Sequence, residues 1–416
     1  MSEVVEERAT ASGRDVLLRP RDPILARDGR PFGATPGAQA VSLPWPLPGT
    51  VAGALRTRIG TDRAFDWHGN GPDLARSIVV HGPLMLARRP GDERWTVYFM
   101  RPNDALVVRP PEGVKKDARP RVHALRPFDR LPDGAASDMP DGLRPLRIPD
   151  AGKVDATRPY WPLDIYVAWL VDATRGESAE PEGALTEVPR ETRMHVKIDP
   201  QTGAGEQGFL FATVGLAFAD QPRVSDKPKD KDRAAYALLC RVSGTEVDGW
   251  NLPQPSTFIT LGGERRLVEL RIGAVEWPNV PAHLSTKLMG AQRLRLVLAT
   301  PALFDGGWKP GWLDDQMEGS PPGLTNVRLR LVAAATGRRA PVSGWNMQRH
   351  KDDAGRWRER GPKAARYTVP TGSVYFFEVA QGLLDADAIA SLWLAPLSDK
   401  AQDRADGYGL ALPGVW

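Results

Sequence analysis

Short runs such as DVLLRPRDPIL, SIVVHGPLMLA, WTVYFM, FLFATVGLAFA, AAYALLCRV, RLVELRI, RLRLVLA, VRLRLVAA and SVYFFEV recur from one end of this chain to the other, punctuated by glycine and proline. Each alternates apolar and polar residues or gathers β-branched and aromatic ones. Because successive strand side chains point to opposite faces, such runs predict half-buried or fully buried β-strands. Helical periodicity is rare. TVAGALRTRIG (50–60) reads as a helix in which Thr50 caps the first turn, Val51, Leu55 and Ile59 form an apolar stripe, and Gly60 ends it. A second is expected near Asp385 to Leu394, with Ile389 and Trp393 on one face. Many strands with few helices predict an α+β fold whose helices lie on one face of the sheets.

The punctuation also locates the loops. Glycine (41) and proline (39) together make up just under a fifth of the 416 residues, which allows many turns without general disorder. Proline recurs with little periodicity between about Arg101 and Glu180, so this stretch reads as a long insertion between strands. QPRVSDKPKDKDRA (221–234) reads as a mixed-charge loop tip. Around these loops a weak repeat is visible. Each half begins on an Arg-bearing strand, DVLLRPRDPIL or RLRLVLATPALF, and each has a glycine-bearing loop near its end, TLGGERRLVEL or DGYGLALPGVW. Two ferredoxin-like (RRM-like) domains with long loop insertions, over residues 1–285 and 286–416, would produce that layout.

With 41% hydrophobic and 25% charged residues the chain is of the globular class. The single Cys240 excludes an internal disulfide framework and a Cys-rich metal cage. FLFATVGLAFA is too short to span a bilayer and MSEVVEERATASGR lacks a signal-peptide core, so a cytoplasmic protein with no membrane partner is expected. The net charge of +4 is unevenly spread. Residues 101–130 carry eight Lys/Arg against four Asp/Glu, and residues 341–370 carry seven against three. From Glu378 onward two basic residues face six acidic ones. Basic patches set against an acidic end suit a polyanion on one side and a protein on another.

Specific residues sharpen this. In RMHVKID, alternation places Arg193, His195, Lys197 and Asp199 on one strand face and Met194, Val196 and Ile198 on the other, which predicts one cationic face and one packed face. Around Gly262 and Gly263 the backbone can approach a phosphate closely; Arg265 and Arg266 add charge, and Tyr408 beside Gly409 offers a stacking surface for an unpaired base. Lys363 and Arg366 precede the strand SVYFFEV, where Pro370-Thr371-Gly372 turns the chain into its sheet; they are placed to meet RNA or an acidic neighbour. GAGEQG (203–208) matches a dinucleotide fingerprint but leads into a strand, so no helix N-terminus would receive the phosphate. The six histidines form no close pair and no zinc motif, and no cofactor or metal is expected. His195, on the cationic strand, is the one candidate for acid–base chemistry. Thirteen tryptophans, with Trp308 and Trp312 in a loop, predict that some pack on partners.

SLPWPLPGTVAGALRTRI resembles the first-helix motif of the RAMP superfamily of CRISPR RNA-binding proteins, and TLGGERR its first glycine-rich loop. RDPILARDGRPFG, HVKIDPQTGAGEQGFLF, ATPALFDGGWKPGW and SGWNM, in that order, resemble the third subunit of the Cmr complex, the type III-B CRISPR effector. The resemblance runs from about Arg19 to Trp416. It implies a non-catalytic subunit that binds the 5′ handle of the guide RNA, touches the target RNA only indirectly, and joins the large polymerase-like subunit to the repeated backbone subunit. On that basis Arg27, Arg30, Arg56, Arg193, His195, Lys197, Arg265 and Arg266 are expected to line one groove. The alternative is a RAMP-type endoribonuclease that processes CRISPR precursor RNA, with His195 as its candidate acid or base.

Overall fold

The computed structural model describes residues 13–27, 38–109, 120–130, 133–134, 136–148, 153–155, 158–173, 181–218, 234–252, 254–346, 350–351, 354–358 and 361–416. In chain order the first half comprises β1 (Arg14–Pro20), β2 (Gln39–Val41), α1 (Pro48–Asp62), α2 (Gly71–Ser77), β3 (Val79–Arg88), β4 (Thr96–Met100), β5 (Tyr160–Pro162), α3 (Leu163–Val171), β6 (Arg190–Ile198), β7 (Gly205–Leu216), β8 (Ala235–Ser243), β9 (Thr257–Leu261) and β10 (Arg266–Ile272). The second half comprises α4 (Ala282–Leu288), β11 (Arg293–Leu298), β12 (Glu318–Gly319), β13 (Arg328–Ala335), β14 (Val374–Gln381), α5 (Ala386–Leu392), β15 (Ala395–Pro396), α6 (Ala401–Ala405) and β16 (Leu410–Gly414). The chain is thus β-rich and mixed, with several sheets.

Two antiparallel sheets dominate. The first has the order β9-β10-β1-β8-β3-β4-β5 and the second β12-β13-β14-β11-β16-β15. In the first, α1 and α2 connect β1 to β3, whereas the link from β8 to β10 carries only a 3-10 turn (Thr245–Val247) and the hairpin strand β9. In the second the asymmetry is reversed: α5 and α6 lie between β14 and β16. SVYFFEV forms the central strand β14, and Gly372 in the preceding turn takes φ +84°, a left-handed conformation that favours glycine.

Alternation along the strands decides the layers. Val16 and Leu18 of β1 face α1, where Val51, Leu55 and Ile59 are fully buried, while Leu17 faces the opposite side. Helix α1 begins earlier than expected, at Pro48, and Leu47 at its N-cap gives no side-chain cap. The missing cap costs about 1 kcal/mol, whereas each buried apolar side chain of the stripe returns about 1.5–3 kcal/mol. Tertiary packing sets this helix. The opposite face of the first sheet, including Leu84, Leu86, Phe99 and Leu239, shares a single core with α3, α4 and the second sheet. Both faces of the first sheet are therefore covered, contrary to the expectation of helices on one face.

The proline-rich stretch is also more than a loop. Tyr160–Pro162 adds an edge strand to the first sheet, and α3 buries Tyr166, Trp169 and Leu170 between the sheets. The rest of its described part includes two small ribbons, Ala105–Val108 with Arg121–Ala124 and Arg126–Pro127 with Leu146–Arg147. The sequence concealed this helix because LDIYVAWLV is apolar almost throughout and shows no distinct stripe, with Asp164 its one charged residue; in the fold Asp164 and Ala168 face solvent while Tyr166, Val167, Trp169 and Leu170 are buried.

Candidate nucleic-acid interface

A separate three-stranded sheet carries the expected cationic strand. β6 pairs antiparallel with β7, and β7 pairs parallel with β2. Arg193, His195 and Lys197 share one face, as the alternation required, but each already has a partner in the chain. Arg193 Nε donates to Glu191 at 2.7 Å, and Lys197 Nζ lies 2.6 Å from Glu206 and 4.7 Å from the centre of the Phe209 ring. His195 stacks on Phe211, with Nε2 2.9 Å from Thr213 Oγ1. The opposite face does not pack. Met194 is 60% exposed, and Val196, Ile198 and Leu210 are exposed as well. The period was legible; the exposure of the apolar face was not.

Residues Ile24–Arg27 tie this sheet to the glycine-rich loop. Ile24 bridges to Leu216 at the end of β7, Leu25 to Gly263, and Arg27 to Ser42 beside β2. The Gly263 N–H donates to Leu25 O at 2.8 Å, so it is spent on holding the loop rather than offered to a phosphate. Gly262 has φ +72°, and a Cβ there would lie 2.7 Å from Leu25 O. Between this loop, the Leu25–Arg27 segment and the outer face of α1 runs an open groove of about 630 Å³. Arg27, Gly262 and Gly263 line it, together with Arg58, Thr57 and the exposed Phe258. Arg58 and Phe258 were not anticipated, because only the hairpin turn at β9 and β10 brings them opposite one another.

The remaining expected residues lie elsewhere. Arg30 falls outside the described residues. Arg56 points to the opposite side of α1, where it is buried, forms an ion pair with Asp406 and donates to Ile78 O and Ala405 O. It joins the halves and does not line the groove. Arg265 is exposed, with φ +49°. Arg266 pairs with Glu264 and its side chain is only 13% exposed. Of the seven described residues expected in one groove, Arg27 lines it, Arg193, His195 and Lys197 share the β6–β7 face, Arg56 lies in a buried junction, and Arg265 and Arg266 sit at the start of β10.

In the second half, Lys363, Arg366 and Tyr408 line a smaller cleft of about 140 Å³, which shares Thr50 with the larger groove. Lys363 is exposed. Arg366 makes a two-armed contact with Asp403 at 2.6 and 2.7 Å, which raises its pKa: its acidic neighbour belongs to the same chain. Tyr408 is 5% exposed, so its ring cannot stack on a base. Burial raises its pKa, opposed by the Gly49 backbone N–H against its hydroxyl. The sequence placed an aromatic beside a glycine turn; packing against α1 consumed it. Trp308 is 37% exposed, while Trp312 stacks on Phe377 and is partly buried.

No group of three or more His, Cys, Asp or Glu suited to a metal occurs among the described residues, and none of their helices is long and apolar enough to cross a membrane. No curated protein proved similar in sequence. Among solved structures, the chain resembles one in the cryo-EM structure of the type III-B Cmr-beta bound to cognate target RNA and AMPPnP, state 1, with TM-score 0.41, 14% identity, and coverage of 87% of this chain and 86% of that one. It also resembles one in the cryo-EM structure of the type III-B Cmr-beta bound to cognate target RNA, with TM-score 0.40, 14% identity and the same coverage. Residues 16–416 match the family described as CRISPR-associated protein (Cas_Cmr3), and over that length the chain belongs to this family.

Proposed function

We propose that this protein is a non-catalytic, RNA-binding subunit of a type III-B CRISPR effector that acts in the cytoplasm. In this reading it holds the 5′ handle of the guide RNA and joins the large polymerase-like subunit to the repeated backbone subunit. Family membership carries the proposal. The strand orders add to it. Taking β1, β3, β8 and β10 as strands one to four, the first sheet contains the order 4-1-3-2; β11, β13, β14 and β16 repeat it in the second. That supports reading the halves as two ferredoxin-like domains of the RRM type, each having lost one crossover helix.

The groove beside α1 and the β6–β7 face are the surfaces we assign to RNA. An open, partly basic groove with glycine backbone along one wall suits a single strand, whose phosphates position it while its bases are read at their edges. Reversing Arg193 and Lys197 to Glu should weaken every guide, whatever its spacer, whereas changing handle bases should matter and changing spacer bases should not. Binding assays with paired handle and spacer variants test this. Spacer changes as strong as handle changes would refute it. Incubation with handle-bearing precursor RNA tests the non-catalytic part: specific products that vanish in His195→Ala would overturn it.

A further inference from the structure

Trp308 is exposed although the loop that carries it is held firmly. The Asp399 carboxylate accepts hydrogen bonds from the Asp305 N–H at 2.7 Å and the Gly311 N–H at 2.8 Å, on either side of Trp308 in the chain. Between them the Trp308 carbonyl accepts from the hydroxyl of Tyr375 at 2.6 Å, and Tyr375, on β14, is 1% exposed. Phe304 packs edge-on against that same tyrosine, with 6.2 Å between ring centres. The backbone of Trp308 is thus tied to the core of the second half, while the residue itself is left 37% exposed. A large ring carried on a backbone already fixed loses little freedom when something binds to it.

A second aromatic faces the same cleft. Residues Ala340–Val342 pair antiparallel with Arg366–Thr368, and Pro341 lies opposite Tyr367. Alternation puts Arg339 and Tyr367 on one face of this ribbon and Arg366 on the other, where it is committed to Asp403. The Arg339 guanidinium lies 4.3 Å from the centre of the Tyr367 ring, and Tyr367 is 48% exposed. Arg339 is itself exposed and forms no hydrogen bond or ion pair among the described residues. Together Trp308, Tyr367 and Arg339 line a cleft of about 610 Å³ that shares no lining residue with the groove beside α1. Asp305 is the one carboxylate among its described lining residues, and Lys400 lies 3.2 Å from it. The cleft offers two exposed rings and a guanidinium that no carboxylate has claimed.

We propose that this cleft is a stacking site for unpaired bases of single-stranded RNA, with Trp308 and the Arg339–Tyr367 pair as its two platforms. Every base has a π-face and stacks on aromatic rings or guanidinium planes, so the site takes RNA without regard to sequence. It rests on the RNA-binding reading above but not on the handle assignment. A proline-rich peptide is the other ligand that exposed aromatics take. Such a peptide supplies no anion for Arg339, whereas RNA brings a phosphate with every base, so the charge favours RNA.

Photocrosslinking and titration of the full-length protein test this. A single-stranded oligoribonucleotide of arbitrary sequence carrying iodouridine should crosslink to Trp308 or Tyr367. Trp308→Ala should weaken binding about tenfold and leave the slope of log K against log salt unchanged, because stacking releases no counterions. Trp308→Phe should keep most of the affinity, and Arg339→Gln should make the slope shallower by about 0.7. With an abasic oligonucleotide, parent and Trp308→Ala should bind alike. If Trp308→Ala lowers the thermal midpoint, Tyr367→Ala and the crosslink decide. Crosslinks confined to other residues, or unchanged RNA affinity in both alanine variants, would overturn the site. So would a loss confined to binding of a polyproline peptide, or equal weakening by Trp308→Ala on abasic and ordinary RNA. If the variants change nothing while handle and spacer still differ, this site falls and the handle reading stands; if they weaken every RNA while handle and spacer prove equivalent, the reverse holds.

Discussion

Asp104 is fully buried and accepts hydrogen bonds from Arg295 Nη1 at 2.5 Å and Trp169 Nε1 at 3.0 Å. Arg295, on the central strand β11, is 1% exposed. Removing a single partner leaves an uncompensated charge in the core. Asp104→Ala should therefore cost about 3–5 kcal/mol in urea unfolding, whereas Asp104→Leu combined with Arg295→Met should recover most of that loss. A small effect of Asp104→Ala would show that water or a neighbour relieves the guanidinium. Neither residue stands out in the sequence. Arg295 sits in the alternating run RLRLVL, where its parity marks one face but cannot reveal that this face meets α3.

Among the elements, the β9–β10 hairpin and α1 form the walls of the groove, and their glycines behave oppositely. Gly262 combines a left-handed φ with a close approach to Leu25 O, while at Gly53, on the groove face of α1, nothing lies within 4 Å of an added Cβ. Gly262→Ala should destabilise by about 1–2 kcal/mol and also weaken RNA binding, because the Gly263–Leu25 bond that carries Arg27 would shift. Gly53→Ala should stabilise by up to about 1 kcal/mol. Thermal melts with parallel RNA titrations check both. Equal effects at the two positions would remove the argument from backbone geometry. TLGGERR announced a glycine turn plainly; its N–H groups were misassigned because strand pairing with Leu25 is non-local.

Across the whole molecule, Glu378 on β14 gathers Arg330 of the adjacent strand at 2.7 Å, Arg144 of the proline-rich stretch at 3.2 Å and Arg293 of β11 at 3.6 Å. Burial pushes its pKa up, but hydrogen bonding to Arg330 and the charges of Arg144, Arg330 and Arg293 outweigh this, so the pKa lies below the ordinary value of 4.5. Glu269 is lowered likewise: Arg271 and Arg21 outweigh burial. A carboxyl depressed in the folded state contributes stability fully present above its unfolded pKa, and that stability is lost as pH falls through the folded one. Thermal midpoints should therefore decline below about pH 4.5. Glu378→Gln should lower the midpoint at neutral pH and flatten that decline. An unchanged acid limb in the variant would show that Glu378 does not hold the stretch to the second sheet.

The chain by itself determined its β-rich character, the positions of most strands, the α1 stripe and the face shared by Arg193, His195 and Lys197, because a two-residue or 3.6-residue period is a local property of the backbone. Only the tertiary structure decided what each face meets. Arg56 and Tyr408 read as ligands for RNA, yet Asp406 and Gly49 claim them from a distance in sequence. Met194, Val196 and Ile198 read as core, yet they are exposed and no layer among the described residues covers them. Burial and charge pairing depend on contacts between residues hundreds of positions apart, such as Arg56 with Asp406 and Arg21 with Glu269. A pattern read along the chain carries no register for such contacts until the sheets pair.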